Sequence, residues 1–383
     1  MSIKKRSIKS LICFSLVLAI LLQFSLALNV QAAENNGNKN QISKNITDKI
    51  PKDATQFVLQ NYKDVIDVVK EHINQFNIEA DSLNDIRLGK PYIIYNLDNE
   101  KQDEIYYYPV LKGDTVVLVI NVMGTTDGWT LSASEDMTSE LSNINYSTED
   151  YLFYQSDNNI IAENTSKSEK MTGKDNQACR DFEAIDYSKK IELVSKRMDN
   201  LIKTDAPQID SNVEHLEKGN LTLSNPQGQG SYGMCWAASV ATIVNFVFAS
   251  TNSNVTAKDV CAKEGIGWND GATIQQKRQA LYDYKIWYNS LAYRQCTWSE
   301  VTTAITNHTP IAVSSATSDS SSWHAVTVYG YSMPSTTSYI TLWNSGINNG
   351  AGGTQVVEYS STGSHFAYNN TTYYWVYSLW NVI

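Results

Sequence analysis

Cysteine is scarce in this chain, with five in 383 residues, and that shortage excludes a scaffold built on disulfides. Positive charge is scarce too: Lys and Arg number 30 against 40 Asp and Glu, so there is no basic footprint for nucleic acid. No second long apolar run follows the one near the N-terminus, which argues against a stop-transfer anchor. Internal repeats are absent. No metal-ligand or cofactor motif is present, so none is expected. Histidine is rare enough that a search for a catalytic base is short.

The apolar run at residues 11–28 follows Lys4, Lys5, Arg6 and Lys9, and Val30-Gln31-Ala32 supplies small residues before Ala33. This is the pattern of a cleaved signal peptide over residues 1–32, and it predicts a secreted, extracellular protein with no membrane association after cleavage. Cys13 does not sit at the end of the run, which argues against a lipid-modified N-terminus. Removing the four basic residues of the leader leaves 26 against 40 acidic ones. From Cys235 onward only six Lys or Arg face seven Asp or Glu, so the excess negative charge lies between the leader and Cys235.

Residues 34–53 are rich in Asn and Lys without hydrophobic period and read as a flexible lead-in. Phe57, Val58, Tyr62, Val65, Ile66, Val69, Ile73 and Phe76 then recur at three- and four-residue intervals, predicting a long amphipathic helix. Short β-rich runs at 92–95, 105–111, 116–122 and 129–131 follow, split by turn signals at 112–114 and 126–128. Pro109 predicts an edge or a bulge. A folded unit over about 54–156 is expected, then a polar linker over about 157–218 with a short helix at 187–202. The last part, 219–383, predicts helices at 235–249, 272–284 and 299–307, then strands at 311–315, 325–331, 339–343, 354–359 and 373–377. Helices first and an antiparallel sheet afterwards make this part α+β.

The stretch Gln229-Gly230-Ser231-Tyr232-Gly233-Met234-Cys235-Trp236 sets a thiol at the start of a helix, after a glycine-rich turn. Unpaired backbone N–H groups and the helix dipole there favour a thiolate, which is the nucleophilic form. A lone cysteine in an apolar run is ordinarily a core residue, and it is the octapeptide around Cys235 that points to chemistry. The last part offers His308, His324 and His365 as a base. His308 precedes Thr309-Pro310 and His365 lies in a Ser/Gly loop, whereas His324 opens a predicted strand that can hold its ring rigidly. Asn344, at the end of the next strand and beside Trp343, is the candidate to orient that ring. The Cys235 N–H and the Gln229 carboxamide could serve as oxyanion donors. Trp236, Trp323 and Trp343 read as packing around the site.

These residues resemble the papain superfamily of cysteine peptidases: Gln-Gly-x-x-Gly-x-Cys-Trp, then His324-Ala325-Val326 running into Gly330-Tyr331, then Asn344-Ser345. Papain-type enzymes place the histidine about 130–150 residues after the cysteine. Here the intervals are 89 to His324 and 109 to Asn344, which resembles the compact, secreted, bacterial staphopain branch. The resemblance covers roughly the last 165 residues. It implies Cys235 as nucleophile, His324 as base and acid, Asn344 as orienter and Gln229 as oxyanion donor. It further implies a papain-like domain, with N-terminal helices packed on an antiparallel sheet or half-barrel. Residues 33–218 would be an α+β propeptide that acts as an intramolecular inhibitor, the partners otherwise being protein or peptide substrates and, if any, a separate proteinaceous inhibitor. Two positions depart from the pattern: Tyr232 stands where papain has a cysteine, and Gly346 stands where a tryptophan often follows the asparagine.

Other readings compete. Tyr232-Gly233-Met234-Cys235-Trp236 also resembles the nucleophile segment of transglutaminase-like acyl transferases, but no Asp or Glu follows His324 until Glu358. A Cys-His peptidoglycan amidase lacks its usual Asp-Cys pair here. A non-catalytic secreted binding protein would put the function in the β-rich first unit. Whether Cys261 and Cys296 pair is left open by the sequence.

Overall fold

The apolar stripe that begins at Ala54 becomes helix α1, Lys52–Glu71, which buries Ala54, Val58, Val65, Ile66, Val68 and Val69. Each of these Val and Ile side chains contributes about 1.5–3 kcal/mol before ordering entropy is subtracted. The computed structural model describes residues 50–96, 103–146, 151–156, 159–163, 168–171 and 217–381. The leader, the lead-in up to residue 49, the helix expected at 187–202, and Cys179 lie outside the described residues.

After α1 come strands β1 (Ile86–Leu88), β2 (Ile94–Asn96), β3 (Ile105–Lys112), β4 (Thr115–Thr125) and β5 (Gly128–Ser134), of which β1, β3, β4 and β5 belong to the sheet beneath the helix. A short helix, α2 (Thr138–Asn143), follows, then β6 (Leu152–Ser156), β7 (Asn159–Glu163) and β8 (Ser168–Lys170). The C-terminal part contains β9 (Glu217–Asn220), α3 (Cys235–Val247), α4 (Ala257–Glu264), α5 (Ile274–Asp283), β10 (Ser290–Ala292) and α6 (Trp298–Thr306). It ends with β11 (Ile311–Ala316), β12 (Trp323–Met333), β13 (Tyr339–Asn344), β14 (Gly353–Glu358), β15 (His365–Tyr368) and β16 (Thr371–Trp380).

The described residues thus mix helix and strand around a large antiparallel sheet. Its order is β1-β3-β4-β5-β14-β13-β12-β11-β16-β10, with β15 on β16 and β9 on β12, twelve strands in all. A separate sheet runs β2-β6-β7-β8. Strands from both parts of the sequence share the large sheet because β5 pairs with β14, Val356 opposite Ala133. Four apolar clusters flank the layers. One lies under α1 on β3 to β5, and a second on the reverse of that region with α2. The third holds α3, α4 and α5 against the C-terminal sheet, and the fourth lies beneath α6 on that sheet's other side. No helix among the described residues is long and apolar enough to cross a membrane.

Pro109 sits just past the end of β1, where its carbonyl accepts from Gly89 N–H, and the register slips at the next step, between Val110 and Leu111. One boundary needs correction. Residues 159–163 and 168–170, expected within the linker, form β7 and β8, with Ile160 and Ala162 buried. Their alternation was masked by the polar neighbours, and cross-strand pairing with β6 decides the conformation.

Candidate active site

Cys235 opens α3, and Met234 before it gives no side-chain cap, so the first-turn N–H groups are not capped there. The preceding loop is sewn to the segment after Asn344. Gln229 N–H donates to Ser345 O at 3.0 Å, and Gly230 N–H to Gly350 O at 2.8 Å. Trp343 Nε1 donates to Gln227 O at 2.9 Å. The contact is backbone on backbone: a Cβ on Gly228 would lie 2.3 Å from Gly350 O, so only glycine fits. Gln229 is fully buried. Its Oε1 accepts from the Ser345 hydroxyl at 3.0 Å, which turns the amide so that Nε2 has no hydrogen-bond partner. A buried amide N–H left open in this way is suited to an oxyanion that is not yet there.

The imidazole is held from the strand side. His324 is buried on β12 opposite Ser315, and its Nε2 bonds to Asn344 Oδ1 at 2.7 Å. Asn344 Oδ1 also accepts from Gly346 N–H at 3.0 Å, and its Nδ2 donates to Gln355 Oε1 at 3.1 Å. Gln355 Nε2 in turn donates to Ser132 Oγ at 3.2 Å and to Ala367 O at 3.0 Å. Because Asn344 is committed on all sides, its carbonyl faces the imidazole. Acceptance from Nε2–H fixes the tautomer with Nδ1 bare, and Nδ1 has no hydrogen-bond partner. Cys235 and His324 line one cavity together with Trp236, Lys277 and Trp323. Ser239, one turn beyond Cys235, bonds to Thr327 Oγ1 at 2.7 Å and so ties α3 to the strand that carries His324.

Both departures from the papain pattern have a local answer. Tyr232 packs edge-on against Trp268 at 5.0 Å, with Lys258 Nζ 4.4 Å above the Trp268 ring, an aromatic and cationic clamp. At Gly346 a Cβ would come within 2.4 Å of the Tyr368 ring, and that ring stacks on His324 at 4.3 Å and 21°. Tyr368 therefore covers the imidazole from β15. Trp343, by contrast, lies against Gly352, where a Cβ would be 2.6 Å from its ring. Trp236 and Trp323 line the cavity, Trp236 anchored through Nε1 to Asp270 O at 3.0 Å.

The remaining candidates fall away. His308 is exposed after α6 with φ +55°, and His365 is not in a loop: it is buried in β15, where desolvation pushes its imidazole down to about 4. None of Cys235, Cys261 and Cys296 is in a disulfide. Burial pushes the Cys261 thiol up to about 11 and that of Cys296 up to about 12, so both stay protonated and unreactive. They also belong to different apolar clusters. Three residues at the site were not anticipated: Gln355, Tyr368 and Lys277. For Tyr368 a signal existed, because Asn369-Asn370 is a two-residue hairpin turn, here with φ of 49° and 55°.

Comparison with models of known protein families and with curated protein sequences gives no match.

Proposed function

We propose that the chain is a secreted, papain-like cysteine peptidase made as a zymogen. The observation that carries the reading is the state of His324: Nε2 is engaged by Asn344, while Nδ1 is bare on a wall of the cavity that Cys235 also lines. An imidazole prepared in this way takes the thiol proton through Nδ1 and leaves a thiolate at the tip of α3. The thiolate attacks a peptide carbonyl, and the oxygen that gains charge is met by Gln229 Nε2–H and the Cys235 N–H. Imidazolium then protonates the departing amine, leaving a Cys235 thioester. Water, deprotonated by the same His324, hydrolyses the thioester and regenerates the thiol. The amide of Asn344 orients the ring throughout without taking a proton.

Cys235 is 2% exposed, so the site has to open before a substrate reaches the thiol. On this reading residues 33–218 restrain the enzyme. Incubating the purified protein with casein and with the thiol alkylator E-64 tests the proposal. Cleavage, and uptake of one equivalent of inhibitor lost in Cys235→Ala, are expected. A protein that does neither after its linker is cut is not a peptidase. If the enzyme cuts itself, Cys235→Ala accumulates at full length. Maturation of that variant to normal size assigns the cut to another protease.

A further inference from the structure

Three rings of the β15–β16 hairpin surround His324. Phe366 and Tyr373 lie tilted to the imidazole, at 6.2 and 5.7 Å between centroids, whereas Tyr368 stacks on it at 4.3 Å and 21°. Phe366 pairs with Tyr373 across the hairpin, and the Tyr373 hydroxyl is hydrogen-bonded to Ser322 Oγ at 2.9 Å, so both are held from within the C-terminal part. Tyr368 is held differently. It ends β15, and the turn after it, Asn369-Asn370, is gripped by the first region, residues 52–171. Asn370 is 5% exposed; its Oδ1 accepts from the Tyr107 hydroxyl at 3.1 Å, and its Nδ2 donates to Ile94 O at 3.1 Å and to Gln155 Oε1 at 3.4 Å. Tyr107 is itself stacked on Tyr92 at 5.0 Å and 10°, and Ala367, just before Tyr368, belongs to the apolar cluster that contains both rings. One side of the hairpin tip therefore meets the first region, and the other meets the imidazole.

We infer that the first region governs His324 through this hairpin tip: Asn370 is the grip, and Tyr368 is a positioning residue whose ring keeps the imidazole against Asn344 and favours its protonated form. The inference rests on the peptidase reading. An aromatic face attracts a cation laid upon it, most strongly where water is excluded, and both rings are buried here. When the thiol proton passes to Nδ1 the imidazole becomes that cation, so Tyr368 favours the thiolate–imidazolium pair over the neutral pair. Tyr368 itself takes no proton and touches no substrate. Its two supports differ in origin. The ladder to β16 and the bond from Gln355 Nε2 to Ala367 O lie within the C-terminal part, whereas the grip on Asn370 exists only while the first region is in place.

The test is the pH dependence of Cys235 alkylation by iodoacetamide in the uncut chain without its leader, with the Cys235→Ala chain as the blank for the other cysteines. Tyr368→Leu should raise the pH at which Cys235 becomes reactive by about one unit, which is about a tenfold loss of reactivity below it. Tyr368→Phe keeps the ring and should restore the wild-type profile. Asn370→Gly removes the amide yet suits the left-handed φ of 55°, and it and Tyr107→Phe should each move the profile the same way by about half a unit. In the cut enzyme freed of its first region, Asn370→Gly should move nothing, and a shift that persists there overturns the inference. An unmoved profile in Tyr368→Leu overturns it as well, as does a shift that Asn370→Gly and Tyr107→Phe do not share. Should Tyr368→Leu fail to fold, or the uncut chain resist alkylation, the Cε1–H resonance of His324 is followed by NMR in the uncut Cys235→Ala chain. The Tyr368 ring current shields that proton, so Asn370→Gly and Tyr107→Phe must move it downfield, and an unmoved resonance overturns the inference. Wild type that takes up E-64 after cutting but fails these tests removes the hairpin coupling alone, whereas wild type that takes up none removes the peptidase reading.

Discussion

Residues 52–171 and 217–381 share one sheet but use polar groups in opposite ways. At five carboxylates of the contact the first region accepts and the second donates, whereas Thr130 Oγ1 donates in the reverse sense to Glu358 Oε2 at 3.5 Å. Asp136 accepts from Asn348 N–H at 3.0 Å, Glu140 from Asn349 Nδ2 at 3.0 Å, and Asp103 from Thr372 N–H at 2.9 Å. Glu71 accepts from Ser332 Oγ at 2.5 Å and from Lys218 Nζ at 3.3 Å, and Asp64 accepts from Ser335 Oγ. The negative excess seen before Cys235 is thus partly placed at the seam. Within the second region, by contrast, the buried polar groups of Asn344, Gln355 and Ser345 bond to one another and to the backbone, while His324 Nδ1 and Gln229 Nε2 have no hydrogen-bond partner. Satisfied polar groups hold the regions together.

The largest expected effect sharpens the contrast. Cys235→Ala should lower casein cleavage by about 10⁴-fold or more while leaving the melting temperature of the full chain unchanged, as followed by thermal unfolding. Equal cleavage by the variant would move the chemistry elsewhere.

The next effect lies at the seam. His72 closes α1, buried beside Glu71, Lys218 and Asn220, and desolvation pushes its imidazole down to about 4. A folded value below the unfolded 6.5 means that neutral His72 favours the folded chain. Its contribution is therefore complete above pH 6.5 and is lost as pH falls toward 4, up to about 3 kcal/mol. Asp136, raised by burial to about 6, works in the opposite sense, since its charged form is the one disfavoured by folding. Urea unfolding at pH 7.5 and 4.5 should show His72→Gln losing less stability on acidification than wild type. Identical losses would show that His72 does not set the acid response of the seam.

Asn344→Ala, which frees the imidazole, should lower kcat by about 10–100-fold and broaden the pH profile, with KM little changed. The smallest effect compares the regions directly. Ser132→Ala removes one of two acceptors of Gln355 Nε2, and Ala367 O remains, so kcat should fall by less than about threefold. A loss as large as that of Asn344→Ala would make the first region part of the catalytic machinery and erase the distinction.

Local pattern carried much of this into view. The stripe of α1 and the runs that became β3, β4, β5, β11, β12, β13 and β14 follow from period and turn chemistry. Missed elements are short: α4 is announced by Thr256 and Asp259, a capping box, but its eight residues hold little apolar period. Of the site, Gln229 and Cys235 share one motif, and His324 was reached by elimination. Lys277 and Gln355 were not legible, because nothing near them in the chain says that α5 faces Ser314 or that Gln355 reaches Asn344, and the Asn369-Asn370 turn announces a hairpin at Tyr368 but not that its ring lies over Gly346. Nor could strand pattern announce that β5 would choose β14, a partner more than 200 residues away.

That choice has a cost if the regions part after the linker is cut. Val356 and Val357 would keep one neighbour, β13, and present their other flank as a raw strand margin with its amides and carbonyls open. Such a margin is a template on which any extended peptide can condense, including another molecule of the same enzyme. On the proposed reading, a C-terminal region shed from the first would have to work dilute, recapture a cap, or be short-lived.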